Sequence, residues 1–126
     1  MYIADGKTNG PAFSWPDGKR IAVMVTFDYD AEFLRISRAQ SKGTTIGFTD
    51  FSRGQYGPHE GLARCLDMLD TMNIKSTFFV PGAVIETYRD SVEEIHRRGH
   101  ELACHGYRHE SDPELSWIDL KDTATF

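Results

Sequence analysis

A chain of 126 residues, 40% apolar, 26% charged and 12% aromatic, has the composition of a soluble globular protein with one domain and a modest core. Its formal net charge of -5 supplies no electrostatic pull toward nucleic acid or an anionic membrane, so neither is expected as a partner. Two cysteines, Cys65 and Cys104, are too few for a disulfide framework and are expected to be reduced, buried thiols.

Residues 1–19 are rich in Gly, Pro and Asp and read as an extended lead-in that ends in the turn "WPDGK". The opening "MYIADGKTNGPAF" has neither the basic nor the apolar region of a secretory signal, and no apolar run reaches transmembrane length. A cytoplasmic protein is the expectation. "RIAVMVTF", residues 20–27, is a short continuous apolar run bounded by turn signals, the pattern of a strand covered on both faces.

Residues 33–57 lack a clear period, and "SKGTTIGFTDFSRGQYG" carries several glycines, so the segment reads as a long loop with a binding or lid role. In "GPHEGLARCLDMLDTMN" the positions Leu62, Cys65, Leu66, Leu69 and Met72 recur at helical spacing, with Pro58 near the start and Asn73 near the end. "KSTFFVPG" reads as a second strand. "DSVEEIHRRG" reads as a short helix with capping-box spacing from Asp90 to Glu93 and Gly99 as terminator. "HELACH" reads as a third strand, and "SWIDLKDTATF" opens a further helix with Ser116 as N-cap.

Strands and helices therefore alternate, which favours an α/β fold with three parallel strands joined by crossover helices. In such folds ligands gather beyond the C-terminal ends of the strands. Asp28 and Asp30 end the first strand, and His105 ends the third. Alternation along the strand points Asp28 and Asp30 the same way and Tyr29 the other. Two carboxylates so close repel unless a cation joins them, although an isolated D-x-D is also a common pair of solvated acids.

His105 and His109 sit four apart, a spacing that places both imidazoles on one side of a helical turn, as zinc sites do. Two histidines with one carboxylate make a three-ligand site with a position left for water, and the other carboxylate is then free to act as base. Elsewhere, His59 reads as a solvated or capping residue, His96 as helix surface, and His100 as a packing or backbone-bonded residue. Cys104 should face away from His105, into the core. Glu32 either supports the site from behind or is solvated, and Arg53 and Tyr56 are weak candidates for substrate contact.

"TFDYDAE" followed by "RGHELACHGYRHE" resembles the polysaccharide deacetylase (NodB homology, carbohydrate esterase 4) superfamily, whose usual motifs are T-F-D-D and H-[ST]-x-x-H. Tyr29 between the acids and Gly106 in place of the hydroxyl residue depart from those motifs. With "SRGQYG", "PGAVIETY" and "HGYRHE", they are similar to the intracellular branch of allantoinase-like proteins, cyclic imide hydrolases and peptidoglycan-deacetylase-like enzymes. The resemblance implies Asp30, His105 and His109 as ligands of a divalent metal, zinc first and nickel or cobalt as substitutes. It implies Asp28 as the general base for metal-activated water in hydrolysis of a non-peptide carbon–nitrogen bond. The substrate would be a small amide, a cyclic imide or an N-acetylated sugar.

The family's fold is a distorted (β/α)7 barrel of roughly twice this length, and its later motifs, including the general acid, are not found here. The expectation is the N-terminal half of such a barrel, inactive alone and associated with the missing half or with a second copy. A non-catalytic metal-binding or assembly module, a truncated remnant of such an enzyme, is the alternative. A sensor or interaction domain without any cation is a third reading.

Overall fold

A computed structural model describes residues 15–109 of the chain. Three strands, β1 (Thr26–Asp28), β2 (Thr77–Val80) and β3 (Glu101–Cys104), form one parallel sheet in sequence order. Phe27 pairs with Phe78, Asp28 with Phe79 and Val80 with Cys104. Between β1 and β2 run α1 (Phe33–Ser41), α2 (Phe48–Tyr56), a π-turn (Gly57–Gly61) and α3 (Leu62–Thr71). Between β2 and β3 run α4 (Gly82–Thr87) and α5 (Arg89–Arg97). The expected helix from Ser116 lies outside the described residues.

The core forms where helices cover one face of β2. Leu62, Leu66 and Leu69 of α3 and Val92 and Ile95 of α5 meet Val84, Phe78, Val80 and Tyr29. Phe78 and Val80 are buried while Thr77 and Phe79, which alternate with them, are partly exposed, so β2 shows the two-residue alternation of a strand with one covered face. The helical spacing read for α3 is the spacing that fills this core.

The first strand is shorter than the run of apolar residues suggested. Ile21, Val23 and Met24 are 76%, 82% and 87% exposed, and pairing starts only where the Thr77 N–H donates to the Val25 carbonyl. Residues 20–24 have no neighbouring strand among the described residues, and an apolar run without a ladder partner has nothing to hold it as a strand. The long loop is also a correction, since residues 33–57 contain α1 and α2. Gly54 lies inside α2, and its lack of a side chain is a packing requirement: a Cβ there would stand 2.5 Å from the Glu32 Cα.

Two smaller expectations also change. Asp90 sits inside the first turn of α5, and no side chain caps that helix, so the capping box does not form. Gly99 does end it, at φ 76° with its N–H bonded to the His96 carbonyl. The expected burial of the thiols is not met: Cys65 is half-buried on α3, and Cys104 is exposed on β3, which among the described residues is an edge strand of the sheet. Cys104 and Leu102 instead line an open apolar recess of about 230 Å³ with Val80, Ile85 and Ala103. No helix among the described residues is long and apolar enough to cross a membrane.

Candidate metal centre

The sheet delivers its polar residues to one rim. The Tyr29 N–H donates to the Phe79 carbonyl at 2.8 Å, carrying the ladder one residue past β1 while the Tyr29 ring enters the core. Tyr29 thus spaces the two acids: Asp28 stays exposed at the strand end, and Asp30 leaves the ladder half-buried. The chain then turns sharply. Ala31 takes a left-handed φ of 49°, and the Phe33 N–H returns to the Asp30 carbonyl at 3.0 Å.

The opposite wall is the segment after β3. His105 and His109 meet edge-on with ring centroids 4.7 Å apart, but no helix brings them together. Gly106 and His109 both have left-handed backbones, with φ of 70° and 61°, and this folds the segment back on itself. The glycine that replaces a hydroxyl residue in the usual motif therefore has a backbone reason. The N-terminus of α4 grips the same turn: the Gly82 and Ala83 N–H groups donate to the Gly106 and Tyr107 carbonyls at 3.0 and 2.9 Å. The Tyr107 hydroxyl reaches Glu86 at 2.9 Å, and the Ser37 hydroxyl of α1 donates to the His109 carbonyl at 2.9 Å.

Asp30, His105 and His109 offer ligand atoms that all lie within 4.8 Å of one another. His105 Nε2 is 3.4 Å from Asp30 Oδ1, and His109 Nε2 is 3.9 Å from Asp30 Oδ2. Ligand atoms at about 2.1 Å from a tetrahedral zinc stand about 3.4 Å apart, so these separations are close to those of a coordination shell. Asp30 Oδ1 and His105 Nε2 are buried and without hydrogen-bond partners. Buried polar atoms left unpaired are costly, and a cation between them would satisfy both. Burial raises the Asp30 carboxyl above its ordinary range; His109 and His105 oppose the shift, and the neighbouring charge of Asp28 adds to it. The donor set, one carboxylate and two imidazoles, fits a borderline divalent metal and leaves a position open for water.

The remaining polar residues fall elsewhere. Glu32 is buried and is approached by the Tyr88 hydroxyl at 3.0 and 2.9 Å from its two oxygens, behind the turn that carries Asp30. Arg53 and Tyr56 are exposed on α2, and Arg53 faces Asp50 at 3.8 Å. His59 is exposed in the π-turn beside the Tyr88 ring, and His96 is exposed on α5. His100 is buried and accepts the Ser76 N–H at its Nδ1, the backbone-bonded role read for it. Of the residues that hold the walls of the site, Tyr88 lies in the segment "PGAVIETY" without being singled out, and Ser37 lies in no motif.

The polysaccharide deacetylase family model matches residues 16–123. Among curated relatives, a peptidoglycan deacetylase-like protein of Gibberella zeae is 32% identical over 99 residues, covering 77% of this chain and 29% of its own. The peptidoglycan deacetylase of Helicobacter pylori is 37% identical over 62 residues, covering 49% of this chain and 21% of its own. A Mycobacterium smegmatis structure assigned to the polysaccharide deacetylases superposes with a TM-score of 0.78 at 37% identity, over 92% of this chain and 40% of that one. An allantoinase structure superposes with the same TM-score of 0.78 at 20% identity, over 92% of this chain and 43% of that one, which speaks to fold alone. The chain thus spans less than a third of the length of these curated relatives, at 29% and 21%. Its three parallel strands and their helices are part of the NodB-type barrel of its structural neighbours. With the family model covering most of its length, the chain belongs to the polysaccharide deacetylase family.

Proposed function

We propose that the complete domain to which these residues belong is a metal-dependent hydrolase of non-peptide carbon–nitrogen bonds. The observation that carries this reading is the convergence of Asp30, His105 and His109 within 4.8 Å at the C-terminal rim of the sheet. Membership of the polysaccharide deacetylase family supports the reaction class. Those three residues would hold the cation, with zinc as first choice and nickel or cobalt as substitutes. When bound, such a cation would lower the pKa of water and polarise a substrate carbonyl.

Asp28 is assigned as the general base. Its exposure at the end of β1, two residues before Asp30, and its absence from the cluster of Asp30, His105 and His109 support the role of base over that of ligand. The relatives named as peptidoglycan deacetylases support an N-acetylated sugar as substrate. The resemblance of "TFDYDAE" and "HGYRHE" to the branch of cyclic imide hydrolases and allantoinase-like proteins supports a small amide or cyclic imide. Activity is expected to need the whole domain, and the exposed Leu102 and Cys104 rim of β3 supports association with the rest of it or with a second copy. The free thiols of Cys65 and Cys104 suit a reducing cytoplasm.

The test is to purify the full-length protein, measure bound transition metal, and assay acetamido sugars, allantoin and cyclic imides. Metal with turnover of one class supports the reading and names the substrate. Metal without turnover of any would make the domain a non-catalytic remnant. No metal after supplementation would remove the site altogether.

A further inference from the structure

His109 stands apart from the other two candidate ligands. His105 follows directly on β3 and Asp30 lies two residues past Asp28, the last residue of β1, whereas His109 lies five residues past Cys104, the last residue of β3, and holds a left-handed φ of 61°. Backbone donors from α4 fix Gly106 and Tyr107, and the Tyr107 hydroxyl is bonded to Glu86, but these contacts stop short of His109. Among the described residues, the hydrogen bond that reaches His109 itself comes from Ser37, whose hydroxyl donates to the His109 carbonyl at 2.9 Å across 72 residues of sequence.

We propose that Ser37 is a positioning residue for the metal site, holding His109 in the left-handed conformation that turns its imidazole toward Asp30 and His105. A helical serine commonly returns its hydroxyl to the carbonyl four residues back. Ser37 instead spends its donor on His109, in a half-buried setting where water competes poorly. The helix that carries it is itself anchored to the other ligand. The turn that opens α1 begins at the Asp30 carbonyl, and Glu32 at its head is fixed by Tyr88 from the start of α5 and by the close approach of Gly54. One helix is thus bonded to the Asp30 carbonyl at its first residue and, through Ser37 at its middle, to the His109 carbonyl. Second-layer contacts of this kind orient ligands and tune affinity.

The inference rests on the metal-site reading above, and the experiment separates the two. Full-length parent, S37A, S37T and H109A are titrated with cobalt(II), following the visible d–d absorption, and the metal-free proteins are melted in parallel. S37A is expected to bind cobalt about tenfold to a hundredfold more weakly. Its spectrum should shift toward that of H109A, with the metal-free melting temperature kept. S37T, which retains the hydroxyl, should return both affinity and spectrum to the parent values. The inference is overturned if S37A matches the parent in affinity and spectrum, or if S37T behaves like S37A. It is equally overturned if affinity falls with an unchanged spectrum and a lowered metal-free melting temperature, since that is general loosening. A parent that takes up no cobalt would overturn the site itself and this inference with it.

Discussion

A side-chain carbon on Gly54 would lie 2.5 Å from the Glu32 Cα and 2.8 Å from its Cβ, so α2 crosses the turn after Asp30 at a distance that only hydrogen allows. Helix propensity alone would favour alanine at this interior position by about 0.8–1 kcal/mol. The contact is with backbone, which cannot swing aside, so steric cost decides the sign. G54A is expected to destabilise the protein by about 1–3 kcal/mol, read from denaturant melts. A G54A protein more stable than the parent would show that α2 lifts off the turn freely.

The Tyr88 hydroxyl is the donor for the buried Glu32 carboxylate. Burial, with the Glu32 carboxylate beside it, pushes the Tyr88 hydroxyl above its ordinary range, so it keeps its proton and its donor role at neutral pH. Y88F removes that donor while keeping the ring, leaving a buried carboxylate short of a partner. A loss of about 1–3 kcal/mol is expected, the usual cost of an unsatisfied buried group. The check is the double substitution Y88F with E32Q: the neutral amide should recover part of the loss, and strict additivity would show that the two residues do not interact.

His100 predicts a pH dependence. Burial is the main influence lowering its pKa, with Lys75 and Arg98 adding to the shift and Asp70 opposing it. Its Nδ1 accepts the Ser76 N–H at 3.2 Å, so protonation would also break that bond. A folded-state pKa below the unfolded value of about 6.5 means the stabilisation is full above that pH and is lost as pH falls through the folded value. The parent should therefore lose stability on acidification in that window. H100Q should be less stable at neutral pH but show a shallower slope there, and identical slopes would remove His100 as the cause.

How much of this was legible in the sequence follows from which interactions are local. Leu62, Leu66 and Leu69 announce α3 because a helix with one buried face writes its period into the chain. Thr77–Val80 and Glu101–Cys104 were readable as strands because their patterns are short and bounded by turns. α1 was not, since Phe33, Leu34 and Ile36 crowd its first turn and polar residues follow. α2 was hidden by Gly54, a loop signal by propensity whose real reason is Glu32, far away in sequence. α4 has six residues, too few for a period to show. The two histidines were legible as a pair but not by their geometry, because the left-handed backbones of Gly106 and His109 do what a helical turn was expected to do. Ser37 and Tyr88 act across the fold, and no local pattern encodes such contacts.

The two acids of the D-x-D differ in setting, and that difference predicts a division of labour. Asp30 is half-buried between two imidazoles, 3.4 Å from His105 and 3.9 Å from His109, with a buried oxygen that has no hydrogen-bond partner. Asp28 is exposed at the end of β1. With Asp28 as the proposed base and Asp30 as a proposed ligand, D28N in the full-length protein should keep the metal the parent binds and lose about 10²–10⁴-fold in turnover, the usual range for removal of a general base. D30N should lose metal affinity and turnover together, because an amide offers a poorer ligand and carries no charge to offset the cation. The measurements are metal-to-protein ratio and kcat, taken on the same preparations. Metal loss of equal size in the two variants would show that both acids bind the ion, and the base would then have to be sought elsewhere.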